Sequence, residues 1–144
     1  MSDLLLVCRI AGQRIALPAM QVQSVIEIGQ VTPIPGTPNW VRGLTTLRSQ
    51  ALTVIDCADA IGLTPTELSC DQRAAVMDIG GHPYALLLDE AEEVSEARSP
   101  VRNVPGGFGD DWARVALGMV ETDGEPALLL DIEAIIDPER SVAA

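Results

Sequence analysis

The order of apolar residues, glycines and prolines in the first half of this chain recurs in the second half. Val7–Gly12 aligns with Val76–Gly81 at an offset of 69 residues, and Pro35-Gly36 is matched by the same pair at an offset of 70. Further matches follow in the same order, with an offset that drifts to 75 by the end of the chain. Each match is weak alone, but their shared order predicts two similar units in one chain of domain size.

Each unit, at about residues 4–63 and 73–137, is predicted to contain about five short strands. In the first unit the apolar, β-prone stretches are Leu4–Ile10, Arg14–Leu17, Val22 with Val25, Ile26 and Ile28, Gly43–Leu47 and Ala51–Ile55. Val31–Pro38 contains three prolines and a glycine, which predicts a loop. Asp56 is expected to cap a short helix over Cys57–Ile61.

Short strands with frequent turns favour small barrels, because closing a sheet into a barrel removes its exposed edges. A unit of about 65 residues makes a thin core alone, so the two units are expected to pack together on an apolar interface. With four aromatic residues in the chain, that core must be mainly aliphatic. The predicted fold is all-β, with two packed five-stranded barrels and short helices, and exchange of strands between the barrels stays open.

The charge balance excludes several classes of partner. The chain carries 21 acidic residues against nine arginines and no lysine, which gives a net charge of −12. Such a charge repels phosphate backbones and anionic lipids, so neither nucleic-acid binding nor a direct membrane role is expected. No apolar run approaches the length of a membrane span, and a cytoplasmic location is the expectation. The acidic excess is uneven, because residues 1–72 carry a net −2 and residues 73–144 a net −10.

The sequence offers no constellation typical of an enzyme. There is a single histidine, His82, and no paired Cys or His ligands suited to zinc. Gly106–Gly109 lacks the ending of a phosphate loop, and the acidic run from Asp89 to Glu96 is better explained as a solvated face than as a cation site. Cys8 is expected to be a reduced, buried thiol. We therefore expect no catalytic residues, no cofactor and no metal.

Arg48 stands at the predicted hairpin tip Arg48-Ser49-Gln50, with no adjacent acid. An arginine at such a tip is commonly just solvated, and a role in recognition is the alternative.

The strongest motif is Trp40–Arg48 followed by Leu52 and Val54–Asp56, preceded by Pro33–Gly36. Together with Leu6–Ile10, Gly12, Ile15–Leu17, Val22 and Val25, this order resembles the CheW-like domain of bacterial chemotaxis. The resemblance runs from about Leu4 to Ile136 and implies two SH3-like barrels around a shared apolar core.

The resemblance implies a non-catalytic adaptor that couples chemoreceptors to a CheA-type histidine kinase. Its expected partners are the kinase regulatory domain and the helical hairpin tip of a chemoreceptor. Carried over onto this sequence, the receptor-binding positions are Val22, Gly43 and Arg48. A partner-contact loop is expected at Ile34, Pro35 and Gly36, together with Ser49 at the tip.

The chain also departs from the family pattern. Ser49 occupies the place of a glycine, which makes a left-handed turn less favourable there. Thr53 and Ser24 replace a proline and a glutamate. These departures leave open an accessory CheW-like paralogue that scaffolds another chemosensory-type pathway, such as twitching motility. A small-molecule-binding barrel, with Trp40 and Trp112 lining a cleft, is a further alternative.

Overall fold

A computed structural model describes residues 4–68, 72–98, 100–102, 112, 115–122 and 125–136 of the chain. These residues form strands and short helices in the following order: β1 (Leu4–Ile10), β2 (Gln13–Pro18), a 3-10 turn (Ala19–Gln21), β3 (Val22–Glu27), β4 (Val41–Leu47), β5 (Gln50–Ile55), α1 (Cys57–Ala60), β6 (Arg73–Ile79), β7 (His82–Leu88), β8 (Glu90–Glu96), β9 (Ala116–Glu121), β10 (Pro126–Leu130) and α2 (Ile132–Ile136). The predicted strands are present, with Gln50 in β5 rather than in the tip.

The strands form two five-stranded sheets, which we call barrel 1 and barrel 2. Barrel 1 has the order β8-β1-β2-β10-β9, and barrel 2 has the order β3-β6-β7-β5-β4. Each barrel therefore combines a hairpin from one half of the chain with three strands from the other half. The two halves meet at two parallel pairs, β2 with β10 and β5 with β7. Each strand has a counterpart five positions earlier or later in the chain, as β1 has β6. When every strand of barrel 1 is replaced by its counterpart, the strand order of barrel 1 becomes that of barrel 2.

A short segment that follows the third strand of each half brings the edges of its barrel together. In barrel 2, Thr32 forms a bridge to Leu44 of β4, and the Thr45 hydroxyl donates to the Gln30 carbonyl at 3.0 Å. In barrel 1, Arg102 forms the equivalent bridge to Met119 of β9. The backbone groups of the edge strands are thus paired where an open sheet would leave them exposed.

Alternation along the strands divides the apolar side chains between three clusters. On β6, Ala74 and Val76 point into barrel 2, whereas Ala75 and Met77 face the core shared with barrel 1. The barrel 1 interior is smaller and includes Leu5 and Ala16. Because both faces of these strands are covered, the strands are apolar runs with little polar alternation. The prediction of an all-β fold with two packed five-stranded SH3-like barrels is confirmed.

The shared core is mainly aliphatic and contains two cysteines. Cys8 of β1 and Cys57 of α1 are both free and fully buried. Burial, followed by neighbouring negative charge, raises the pKa of each thiol to about 12. Cys8 is therefore the inert, reduced thiol that was predicted.

Candidate partner-binding site

The β4–β5 hairpin ends in a two-residue turn made by Arg48 and Ser49. Their φ angles are 51° and 70°, the left-handed pair that this tight turn requires. The other two-residue turns that the structure describes have glycine at the second position, as in Ala11-Gly12 between β1 and β2, where Ala11 also has a φ of 51°, and in Gly80-Gly81 between β6 and β7. Ser49 adopts the left-handed conformation although a serine resists it. A non-glycine residue held there costs about 1–3 kcal/mol, and such strain is typical of functional positions.

The Arg48 side chain is exposed and has no hydrogen bond or ion pair with any residue that the structure describes. Other arginines differ in this respect. Arg9 and Arg14 contact Glu92, Arg42 contacts Asp56, and Arg73 lies 3.6 Å from Glu27.

Val22 begins β3 and is half-buried against the shared core. Strand pairing places it in one row across barrel 2, in the order Val22, Met77, Tyr84, Thr53 and Leu44. The row ends at Leu44, which is 38% exposed. Val22 lies on β3 and the Arg48–Ser49 turn follows β4, and these two strands stand at the two ends of the barrel 2 order. The segment that contains Thr32 follows β3 and pairs with β4, so it brings the two end strands together.

Gly43 is placed differently from Arg48. It is buried inside β4, where the strand passes under the backbone of Thr32. The structure offers little Gly43 surface to a partner.

The predicted loop over Val31–Pro38 is present, and its tip is accessible. Pro35 and Gly36 are exposed, whereas Ile34 is half-buried. The Thr37 hydroxyl donates to the Ile34 carbonyl at 2.9 Å, which braces the loop from within. We call residues 31–38 the proline loop.

Asp56 does more than cap α1. Its fully buried carboxylate accepts the predicted capping bond from the Asp59 amide at 3.4 Å. It also accepts bonds from the Thr66 amide and hydroxyl, both at 2.8 Å, and from the Arg42 guanidinium at 3.0 Å. A bulge in β4 turns Arg42 toward it. Sequence reasoning missed the arginine because the contact spans 14 residues across a register shift.

The acidic stretch of β8 is only partly the solvated face that was expected. The Glu92 carboxylate accepts one bond from Arg9 at 2.7 Å and one from Arg14 at 3.0 Å. Arg14 is 8% exposed and also donates to the Thr122 hydroxyl and to the Glu125 carbonyl. Desolvation works to raise the pKa of Glu92, but the bonds from Arg14 and Arg9 outweigh it and hold the pKa below its usual value. We call these residues the Arg14 network.

Among the residues that the structure describes, two clefts can be assigned lining residues. The larger has a volume of about 510 Å³ and is lined by residues that include Leu63, Thr66 and Asp89. The smaller, of about 120 Å³, lies beside Pro18, Gln21 and Leu117. Trp112 belongs to neither lining, because it is 6% exposed within the shared core, and Trp40 packs against that core. The expectation that these two tryptophans line a cleft stays a prediction.

The fold defines a class of domain in which two paired all-β barrels present hairpin tips and loops at their surface. The model of the CheW-like domain matches residues 4–140, and the chain belongs to this family. No helix in the described ranges combines the length and hydropathy needed to cross a bilayer.

Named relatives agree with that assignment. The chain is 26% identical over 132 residues to the chemotaxis protein CheW of Thermotoga maritima, which covers 87% of this chain and 82% of the relative. It is 27% identical over 139 residues to protein FrzA of Myxococcus xanthus, covering 94% and 86%. The solved structure of the scaffolding protein TtCheW from Thermoanaerobacter tengcongensis superposes with a TM-score of 0.82 at 23% identity, covering 95% of this chain and 94% of that one.

Proposed function

We propose that this protein is a non-catalytic cytoplasmic adaptor that couples a chemoreceptor to a CheA-type histidine kinase. The family assignment supports the adaptor role, and two relatives of comparable length carry the names of a chemotaxis protein and of protein FrzA. The observation that carries the site is the Arg48–Ser49 turn, because it combines left-handed strain with an arginine unpaired among the described residues.

The proposed mode of binding follows from the chemistry of barrel 2. A receptor tip is a helical hairpin, which offers apolar ridges flanked by charged side chains. Val22 and Leu44 provide apolar surface on one face of the barrel, at opposite ends of its row. Arg48 would then fix the orientation by pairing with a receptor carboxylate, since its planar guanidinium suits bidentate contacts. The proline loop is the second contact element.

The test is binding of the full chain to two purified fragments, a CheA regulatory domain and a receptor hairpin tip. Arg48→Glu should weaken receptor-tip binding by about tenfold or more, as expected for loss of a central arginine contact. Its melting temperature should stay within about 2 °C of the wild type, because an exposed side chain outside any network contributes little to stability. Arg73→Glu, at another exposed position of barrel 2, is the matched control and should leave binding unchanged.

The proposal is wrong if the wild-type chain binds neither fragment at low salt. The site assignment alone is wrong if Arg48→Glu and Arg73→Glu bind the receptor tip equally well. Repeating the binding at two salt concentrations separates the contributions, because apolar contacts survive salt better than charge pairs do.

A second candidate is an accessory adaptor that scaffolds another chemosensory-type pathway. This chain has nearly equal sequence identity to CheW of Thermotoga maritima and to protein FrzA, which supports the accessory adaptor as a second candidate. The same pull-down discriminates the two, with regulatory domains from several kinases of one cell in competition. An accessory adaptor should prefer a kinase other than the one that controls flagellar chemotaxis.

A further inference from the structure

Gly43 and Gly118 occupy equivalent positions in the two barrels, 75 residues apart in the chain. Each lies under the segment that closes its barrel. A Cβ atom on Gly43 would overlap the Thr32 carbonyl oxygen and come within 3.0 Å of the Pro33 Cα. A Cβ atom on Gly118 would overlap the Arg102 carbonyl oxygen and the Val101 side chain. At both positions, therefore, the missing side chain is what allows the segment to approach the strand.

The close approach creates a pair of backbone hydrogen bonds in each barrel. The Thr32 amide donates to the Leu44 carbonyl at 2.8 Å, and the Leu44 amide donates back at 2.9 Å. Arg102 and Met119 exchange the same two bonds, both at 2.8 Å. Gly43 has an additional constraint, because its φ of 142° lies in a region that side chains rarely allow.

The segment at Thr32 continues directly into the exposed tip of the proline loop, with Pro33 and Pro35 restricting φ at alternate positions. The Thr37 hydroxyl and the Val41 amide bind the Ile34 and Pro38 carbonyls, so the loop is braced at its tip and at its far end. These constraints limit rotation within the loop, so a displacement at Thr32 should also move Pro35 and Gly36.

We propose that Gly43 is a positioning residue of the partner-binding surface. It does not touch the partner; it sets the position of the proline loop, and the loop makes the contact. This inference rests on the proposed adaptor function and changes the role expected for Gly43 from direct receptor contact to indirect control. Gly118 performs the same structural task in barrel 1, remote from the proline loop.

The test compares Gly43→Ala with Gly118→Ala in the full-length chain. Backbone amide NMR of the free protein reports the loop, and titration with the receptor tip and the kinase regulatory domain reports binding. Gly43→Ala should shift the amides of the non-proline residues between 31 and 37, leave those of residues 48–49 in place, and weaken binding of at least one fragment by about tenfold, which corresponds to about 1.4 kcal/mol. Gly118→Ala should shift residues near 101–102 and leave binding of the receptor tip within about twofold, since distant sites act independently.

The outcomes separate the alternatives. Loss of binding by Gly43→Ala with unshifted loop amides means that Gly43 touches the partner, and a shifted loop with unchanged binding means that the partner does not contact the loop. Either result overturns the proposal.

Should Gly43→Ala fail to fold, Pro33→Gly takes its place, because it loosens the loop while Gly43 stays intact. Wild-type binding by Pro33→Gly would overturn the proposal, and weakened binding would support it. If the wild-type chain binds neither fragment, the adaptor function fails first, whereas the NMR shifts in the free protein still decide whether Gly43 sets the loop position.

Discussion

The corresponding ends of the two barrels have the same backbone plan and opposite chemistry. At the end of barrel 1, near the β1–β2 turn, Arg9 and Arg14 are both bound to Glu92, and Arg14 reaches across to the β9–β10 connection. At the same end of barrel 2 the β4–β5 turn is strained and Arg48 has no partner in the described part of the chain. At this end, the arginines of barrel 1 hold its own strands together through Glu92, whereas barrel 2 leaves the Arg48 guanidinium available for a partner.

At the other end of each barrel, where β5 leads into α1 and β10 leads into α2, the difference is reversed, because here it is barrel 2 that has the more extensively bonded charge. Asp56 in barrel 2 is fully buried with an arginine and a threonine as partners. Its counterpart Asp131 leads into α2 and accepts a capping bond from the Ala134 amide at 3.4 Å. Arg42 is likewise replaced at the equivalent bulge by Leu117, which is 58% exposed. Each barrel therefore stabilises one of its ends with an ion pair in which one member is buried, Arg14 in barrel 1 and Asp56 in barrel 2.

The largest effect is expected from breaking the Arg14 network. Arg14→Met keeps an unbranched apolar stem but removes the guanidinium cation, and it leaves Thr122 and Glu92 without this buried donor. Loss of the buried guanidinium, with its hydrogen bonds to the Thr122 hydroxyl, the Glu125 carbonyl and Glu92, should reduce the free energy of unfolding by about 3 kcal/mol, since each hydrogen bond to a charged group contributes about 1.5–3 kcal/mol. Urea denaturation measures this directly.

Arg73→Met is the control, because its pair with Glu27 is exposed on both sides and should change stability by less than about 0.5 kcal/mol. Equal losses for Arg14→Met and Arg73→Met would show that the Arg14 network contributes no more than a surface pair.

The second effect compares the two helix-capping aspartates. Asp56→Asn removes the charge that pairs with Arg42 and forces an amide against the Thr66 donor, which should cost about 2 kcal/mol. Asp131→Asn loses a single long capping bond and should cost less than about 1 kcal/mol. Thermal unfolding of both variants measures the two losses of stability. A loss for Asp131→Asn as large as that for Asp56→Asn would contradict the difference between the two barrels at this end.

The repeat and the apolar strands predicted the fold because burial on both faces leaves a continuous signal in each strand, as in Ala74–Met77. The cap at Asp56 was also predictable, since a cap is local to its helix. The Arg14 network was not, because Glu92 and Thr122 come from the other half of the chain. The Arg42–Asp56 pair was not either, because its contact spans 14 residues across the register shift in β4. Gly43 illustrates the remaining gap: the resemblance marked the position, but only the close approach of Thr32 shows what a glycine does there.

The third effect concerns pH and the charge of Glu92. Because its pKa is lowered in the folded protein, Glu92 contributes stability that is fully present above its unfolded pKa of about 4.3 and is lost as the pH falls through the lower folded value. The free energy of unfolding of the wild type should therefore exceed that of Glu92→Gln at pH 6, and the difference should shrink toward pH 3. A difference that stays constant over this range would show that the two arginines do not stabilise the Glu92 charge.

The smallest effect is the release of strain at the Arg48–Ser49 turn. Ser49→Gly should stabilise the protein by about 0.5–1 kcal/mol, because the steric strain that glycine avoids at a positive φ is partly offset by the larger backbone entropy that glycine loses on folding. The same substitution at Ser24, an exposed position within β3, should have the opposite sign, since glycine weakens a strand by a similar amount. Chemical denaturation of both variants measures the two signs. If Ser49→Gly destabilised the protein as Ser24→Gly does, the turn would not be strained, and the contrast between the two barrel ends would rest on the Arg48 charge alone.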